Sequence, residues 1–292
     1  MAMTTMTKAP TTISWMDRAH SPVFFFILAA APSGRLMTTL LSGTENGVLI
    51  LTLNRPERAN AFNAELIGEL QNALSGAGKN AQARCIVLTG AGRAFSAGQD
   101  IGEMQGGGKI SYREHLEKTY NPLILQIRKI EKPVIAALNG PCAGAALGVA
   151  LACDLRFASE ATTLVVGFGG IALVPDSAVS LLLPALIGLG RAQYYFMTNE
   201  AILPEQALEW GLVNKVFASA DFMRETMSFA TRLAAGPVGA YGMAKQAFNK
   251  AVLPNLEEAL KVEADQQEIA GQRDEHKEGV AAFMEKRKPK FQ

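Results

Sequence analysis

Apolar residues gather into short β-branched runs that alternate with stretches of helical spacing over the first half of the chain. Residues 47–54 (GVLILTLN) predict a strand closed by Arg55-Pro56, and apolar positions at helical spacing predict a helix over 63–77. Residues 84–89 (RCIVLT) predict a second, buried strand that ends in the glycine-rich segment 90–98. A helical pattern covers 112–130, and Lys132-Pro133 breaks it before a third strand at 134–138. The turn Asn139-Gly140 leads into the small residues 143–152, which suit a helix packed closely on most sides. Two more short strands are expected at 155–158 and 163–166. Strands alternating with helices predict an α/β core. From Gln206 onward the pattern is helical and increasingly charged, and 256–287 is amphipathic with no strand signal, so a helical C-terminal module is expected. There is no internal repeat. The low-complexity patch Gly106-Gly107-Gly108 reads as a mobile loop.

With 292 residues, 49% hydrophobic and 19% charged, the chain can bury a large core. A net charge of +1 with mixed signs gives no electrostatic footprint for nucleic acid or an anionic membrane. Cys85, Cys142 and Cys153 lie in apolar or small-residue runs without CxxC spacing, which predicts buried, reduced thiols. His20, His115 and His276 form no HxxxH or HExxH pattern, so no metal is expected. Residues 1–36 begin polar and patternless and contain the run PVFFFILAAA at 22–31, which is too short to span a bilayer. Residues 1–36 are expected to be a disordered extension or the result of a mis-set start, with Met37 as the first residue, rather than an export signal, and a cytoplasmic location is expected.

Candidate chemistry begins with the glycine-rich loops. Gly90-Ala91-Gly92-Arg93-Ala94-Phe95 lacks the third glycine of GxGxxG, and Gly108-Lys109 has Glu103 and Ile110 where a P-loop needs Gly and Ser or Thr. No nucleotide cofactor is therefore expected. Ser96 is not in a GxSxG elbow, because Ala94 replaces the first glycine, and it reads as a hydrogen-bonded turn residue. Two tight turns remain, Ala97-Gly98-Gln99-Asp100 and Ala143-Gly144-Ala145-Ala146. They read either as a pair of backbone donors for an oxyanion or as places where small residues let elements pack closely.

Several separately placed segments in order resemble the crotonase (enoyl-CoA hydratase/isomerase) superfamily. They include Leu53-Asn54-Arg55-Pro56 with Asn60-Ala61, Leu88-Thr89-Gly90, FSAGQDI at 95–101, KPVIAALNG at 132–140, Ala143-Gly144 and Cys153-Asp154-Leu155-Arg156. Ala207 with Trp210-Gly211-Leu212-Val213, and Glu278-Gly279 with Phe283, Lys286 and Arg287, continue the series. The resemblance implies a spiral of ββα units at 37–230 and a helical oligomerisation region at 231–292, assembled as a homotrimer or a dimer of trimers. It implies an acyl-CoA thioester as substrate, with CoA as part of that substrate rather than a separate cofactor. The oxyanion donors it implies are the backbone N–H groups of Gln99 and Ala145, with Gly144 beside them. Its CoA-contacting segments match Arg58-Ala59 and Ala97-Gly98-Gln99-Asp100-Ile101, and Phe283 and Lys286 match a tail that often covers the adenine.

Hydratases of the family hold water with two glutamates, and the matching positions here are Gly148 and Phe168. Neither transfers a proton. An aspartate appears instead in Leu173-Val174-Pro175-Asp176-Ser177, similar to the isomerases of epoxyphenylacetyl-CoA in phenylacetate catabolism, and the likeness extends to Tyr120-Asn121-Pro122-Leu123 and Ala270-Gly271-Gln272. One carboxylate beside an enolate can lift a proton from one carbon and return it to another. Asp176 is thus the expected proton shuttle, with Phe168 keeping it dry; the alternative for Asp176 is a helix N-cap. Ala178-Val179 stand where that pattern has glycine, and Glu103 is a reserve acid. Two rival functions stay open: a hydratase, which would demand a second carboxylate beside Asp176, and a crotonase-fold protein that only binds CoA.

Overall fold

The structure, a computed structural model, describes residues 38–106 and 111–291. Residues 1–36 and Gly107-Gly108 of the expected loop lie outside them. The first two strands, β1 (Leu40–Glu45) and β2 (Val48–Leu53), pair antiparallel across Asn46-Gly47, both at positive φ, the residue types a two-residue hairpin turn demands. The apolar pattern does not predict β1, because LLSGTE exposes five of its six positions. Next comes α1 (Ala64–Lys79), whose start is fixed by Asn63 accepting the Leu66 N–H at 2.9 Å. After it come β3 (Cys85–Gly90), α2 (Ile101–Gly106), α3 (Tyr112–Lys118), α4 (Tyr120–Lys129) and β4 (Val134–Leu138). The one helix expected over 112–130 is therefore two, broken at Thr119 (φ −119°, ψ −81°). Pro122 accounts for the break: it has no N–H to offer the Lys118 carbonyl, yet it is tolerated in the first turn of a new helix.

The chain continues through β5 (Cys142–Ala143), α5 (Ala145–Ala152), β6 (Leu155–Ser159), β7 (Leu164–Val165), α6 (Val179–Ile187), α7 (Leu189–Thr198), β8 (Ala201–Ile202), α8 (Pro204–Glu209) and β9 (Lys215–Phe217). The helices α9 (Phe222–Ala235), α10 (Val238–Val252), α11 (Leu256–Gly271) and α12 (Asp274–Met284) end it. The strand β9 corrects the expectation that everything after Gln206 is helical. It has three residues, too few for a periodic signal, and adds to the sheet edge beside β6.

The main sheet runs β1-β2-β3-β4-β6-β9, parallel except for the first pair. All five residues of β4 are buried, which is why the central strands read as unbroken apolar runs. One face (Leu51, Leu88, Ala136) packs in a cluster with Leu70 of α1 and Leu123 of α4. The other (Val87, Ile135, Phe157) packs on Phe222, Ala230 and Ala234 of α9. A second sheet, β5-β7-β8, stands apart, and every residue of α5 is buried, as its small side chains allow. The three cysteines are free and buried; burial pushes the thiols of Cys85 and Cys153 up to about 12, which makes them poor nucleophiles. Among the described residues no helix is long and apolar enough to cross a membrane, and no cluster of His, Cys, Asp and Glu could hold a metal ion.

Candidate active site

The two small-residue turns meet in space. Ser96 bridges Cys142, and Ala143 donates its N–H to the Ser96 carbonyl at 3.1 Å. On the other side Phe62 donates to Gly98 O at 2.7 Å and accepts from the Asp100 N–H at 2.9 Å. In such a parallel bridge the N–H of the intervening residue, Gln99, points away from Phe62. Ala145 opens α5, where an N–H has no place in the helical ladder. Among the described residues neither N–H has a protein acceptor. At Gly98 (φ +90°) a Cβ would stand 2.7 Å from Ala143 O and 3.5 Å from Ala145 N. Glycine is thus what lets the turns approach. Gly144 caps α5 at φ 57°, ψ −131°, and a Cβ on Gly167 would lie 3.2 Å from Gly144 N, so the segment holding buried Phe168 lies against the second turn.

Side chains brace this pair from behind. Ser96, fully buried, donates to Asn60 O at 2.8 Å and accepts from the Gly98 N–H at 3.2 Å, the turn role expected of it. The side-chain oxygen of Gln99, Oε1, accepts from Tyr120 OH at 2.8 Å and from His115 Nε2 at 3.1 Å. Burial raises the Tyr120 phenol well above its usual range, with the charge of Asp176 adding to it, and burial lowers His115.

Asp176 is buried among donors. Ser177 Oγ donates to its Oδ1 and Gln267 Nε2 to its Oδ2, both at 2.8 Å. Burial raises its carboxyl to about 6, against the opposing pull of those two hydrogen bonds. The helix N-cap alternative does not hold, because α6 begins after Ala178, and Asp176 receives the Val179 N–H through its backbone carbonyl at 3.0 Å. The N–H groups at the start of α6 go to Glu263 of α11, which accepts from Ala178 at 2.8 Å and Ser180 at 2.9 Å. Burial, with Asp176 nearby, pushes Glu263 up to about 7. Ser177 (φ 56°) and Ala178 (φ 64°) take left-handed conformations that cost roughly 1–2 kcal/mol each without glycine. Gly148 of α5 makes room for them: a Cβ there would fall 2.5 Å from Ser177 Cβ.

The remaining expected residues are spread wider. Arg58, Ala59 and Ala97 are exposed, and Ala97 donates to Ala59 O at 3.0 Å, which aligns the two proposed CoA-contacting segments. The Asp100 carboxylate is taken by Arg55 at 2.9 Å, and Ile101 starts α2, half-buried. Glu103 is exposed and accepts from Asn63 at 3.0 Å. Phe283 and Lys286 are exposed at the end of α12; no hydrogen bond joins them to the Asp176 cluster. Sequence reading misses Gln267, Glu263, Tyr120 and His115 as neighbours of the site. A signal for the first two existed: they stand among Leu256, Leu260, Ala264 and Ala270, the buried face of α11, where polar residues need a partner.

The family model "Enoyl-CoA hydratase/isomerase" matches residues 43–292. The 1,2-epoxyphenylacetyl-CoA isomerase of Escherichia coli K12 is 38% identical over 259 residues, 88% of this chain and 99% of that relative. A probable enoyl-CoA hydratase of Rhodobacter capsulatus is 38% identical over 84% of this chain and 94% of its own length. The crystal structure of an enoyl-CoA hydratase from Mycobacterium avium subsp. paratuberculosis superimposes with a TM-score of 0.79 at 32% identity, covering 87% of this chain and 98% of that one. With so much of its length matched in both sequence and fold, the chain belongs to the enoyl-CoA hydratase/isomerase family of enzymes, the crotonase superfamily.

Proposed function

We propose that this enzyme shifts a double bond, or rearranges an epoxyphenylacetyl-type acyl group, on a CoA thioester. In a 3-enoyl thioester the Asp176 carboxylate takes a proton from C2, and the electron pair moves into the thioester carbonyl to give a dienolate. The N–H groups of Gln99 and Ala145 hold the oxyanion, at about 3–4 kcal/mol per donor. Asp176 then returns the proton to C4 as the carbonyl reforms, leaving the double bond between C2 and C3 and the carboxylate as it began. Phe168 keeps the carboxyl dry. Arg58, Ala59, Ala97, Asp100 and Ile101 line the CoA path, and Phe283 and Lys286 lie over the adenine. The helices of 231–292 serve assembly as a homotrimer or dimer of trimers, a role that suits the exposed Met243, Phe248 and Val252 on α10.

The observation that carries isomerisation over hydration is the pair Gly148 and Asp176. Ser177 fills the space a side chain at 148 would need, and Asp176 is buried with a carboxyl at about 6, poised to give and take a proton near neutral pH. The nearby carboxylate that a hydratase would demand is Glu263, but both its oxygens accept N–H groups of α6. The test incubates the protein separately with 3-enoyl-CoA, 2-enoyl-CoA and epoxyphenylacetyl-CoA, beside Asp176→Asn, and follows product mass and retention. Products of unchanged mass, lost in the variant, are expected. Gain of one water by 2-enoyl-CoA at a rate indifferent to Asp176 would replace this reading with hydration.

A further inference from the structure

Gln267 is 1% exposed on α11, and its amide has one orientation available. Its oxygen accepts the Val174 N–H at 3.2 Å, so its nitrogen is the end that meets Asp176 Oδ2 at 2.8 Å. The two oxygens of Asp176 therefore have unlike neighbours. An amide nitrogen only donates, whereas the Ser177 hydroxyl beside Oδ1 can donate or, by rotating, accept. An oxygen that takes up a proton becomes a donor itself. Facing Gln267, a proton on Oδ2 would find no acceptor and would leave the amide N–H only the weaker lone pair of a hydroxyl oxygen, and an unmade hydrogen bond in a dry site is costly.

We infer that Gln267 is a positioning residue of this enzyme, one that keeps Oδ2 an acceptor throughout the cycle so that the travelling proton rides on Oδ1, beside Ser177. The inference rests on Asp176 being the proton carrier. It assigns α11 a part in the chemistry, because the same helix presents Glu263, one turn earlier, to the N-terminus of α6. The ionisable groups that bear on Asp176 are that Glu263 and, from α4, Tyr120, whose hydroxyl is turned to Gln99. Neither hydrogen-bonds Asp176, so among the described residues its side-chain donors are Ser177 and Gln267. Both favour the carboxylate form, and loss of either makes the group harder to ionise.

The experiment measures kcat and KM for 3-enoyl-CoA isomerisation by the full chain from pH 5 to 9, with Gln267→Leu and Gln267→Glu. In the leucine variant the acid limb of kcat/KM is expected to move up by about one pH unit. There kcat falls about tenfold, while KM stays within about twofold. The glutamate variant keeps an oxygen for Val174 and sets a second carboxyl against Asp176, so its limb moves up as well; it supplies the readout if the leucine variant does not fold. An acid limb that stays in place in the folded variants, whatever happens to kcat, overturns the inference. Asp176→Asn separates the two ideas: full activity in that variant removes the proton carrier itself, whereas an inactive Asp176→Asn beside unshifted Gln267 variants removes the role of Gln267 alone.

Discussion

The turns that present the N–H groups of Gln99 and Ala145 are tied by main-chain bonds, Ala143 to Ser96 and Phe62 to Gly98. The loop that presents Asp176 is tied by side chains, Gln267 arriving from 91 residues further along. Backbone bonds fix where an N–H points almost regardless of what surrounds it. A carboxyl's readiness to take a proton depends on every neighbour that buries or solvates it. The first half of the proposed site is thus geometry, and the second half is environment.

Breaking the environmental half gives the largest effect. Asp176→Asn is expected to lower kcat by about 10²–10⁴-fold, the usual worth of a positioned acid/base, and to leave the calorimetric affinity for a CoA thioester within about twofold. A comparable loss of affinity would mean that Asp176 holds substrate instead of moving its proton.

The geometric half breaks at Gly98. Gly98→Ala would force φ +90° on a residue with a Cβ and set that carbon 2.7 Å from Ala143 O. An activity loss of about 10²-fold and a destabilisation of about 2–3 kcal/mol are expected, by kinetics and denaturant titration. Gly144→Ala sharpens the point, since a Cβ there meets nothing within 4 Å. Only its strained backbone remains, and the stability loss should be about 1–2 kcal/mol.

The two halves also differ in how far they could be read beforehand. Gly98 and Gly144 announce their turns, because residues without bulk after buried strands have few other uses. Asp176 stands out through the Val-Pro-Asp-Ser segment, but its setting does not, since the packing of α11 brings Gln267 to its carboxyl and Glu263 to the start of α6, and no local pattern encodes that. The apolar runs reveal β2, half or fully buried along its length, and β3 and β4, buried on both faces. They hid β1 and β9, edge strands whose exposed residues follow no apolar rule. The break at Thr119 was legible in Pro122, and the unbroken apolar periodicity around it masked the signal.

Environment leaves a trace in stability as well as rate. The Asp176 carboxyl is raised in the folded protein to about 6, from a usual 3.8. Its contribution is favourable below the unfolded value and is lost as pH rises through about 6. At pH 8 the buried charge is a cost, so Asp176→Asn should be more stable than the parent by about 1–3 kcal/mol, an advantage that shrinks as pH falls toward 4. Denaturant midpoints at pH 8 and pH 5 check this. Equal differences at both would mean that the carboxyl titrates normally and that its burial carries no free-energy consequence.

The smallest effects belong to the tail, which sits in neither half. Phe283 is 57% exposed, and Lys286 lies beyond the last turn of α12, so neither side chain belongs to the buried core. If they cover the adenine of CoA, Phe283→Ala and Lys286→Ala should raise KM by about three- to tenfold and leave kcat and the thermal midpoint unchanged. The adenine lies far along the CoA arm from the reacting carbons, and contacts equal in ground and transition states change binding alone. Substrates cut back to the pantetheine thioester carry no adenine and should not distinguish these variants from the parent. A variant that lost kcat on both substrates would tie the end of α12 to the Asp176 loop through α11, and the tail would join the environmental half of the site.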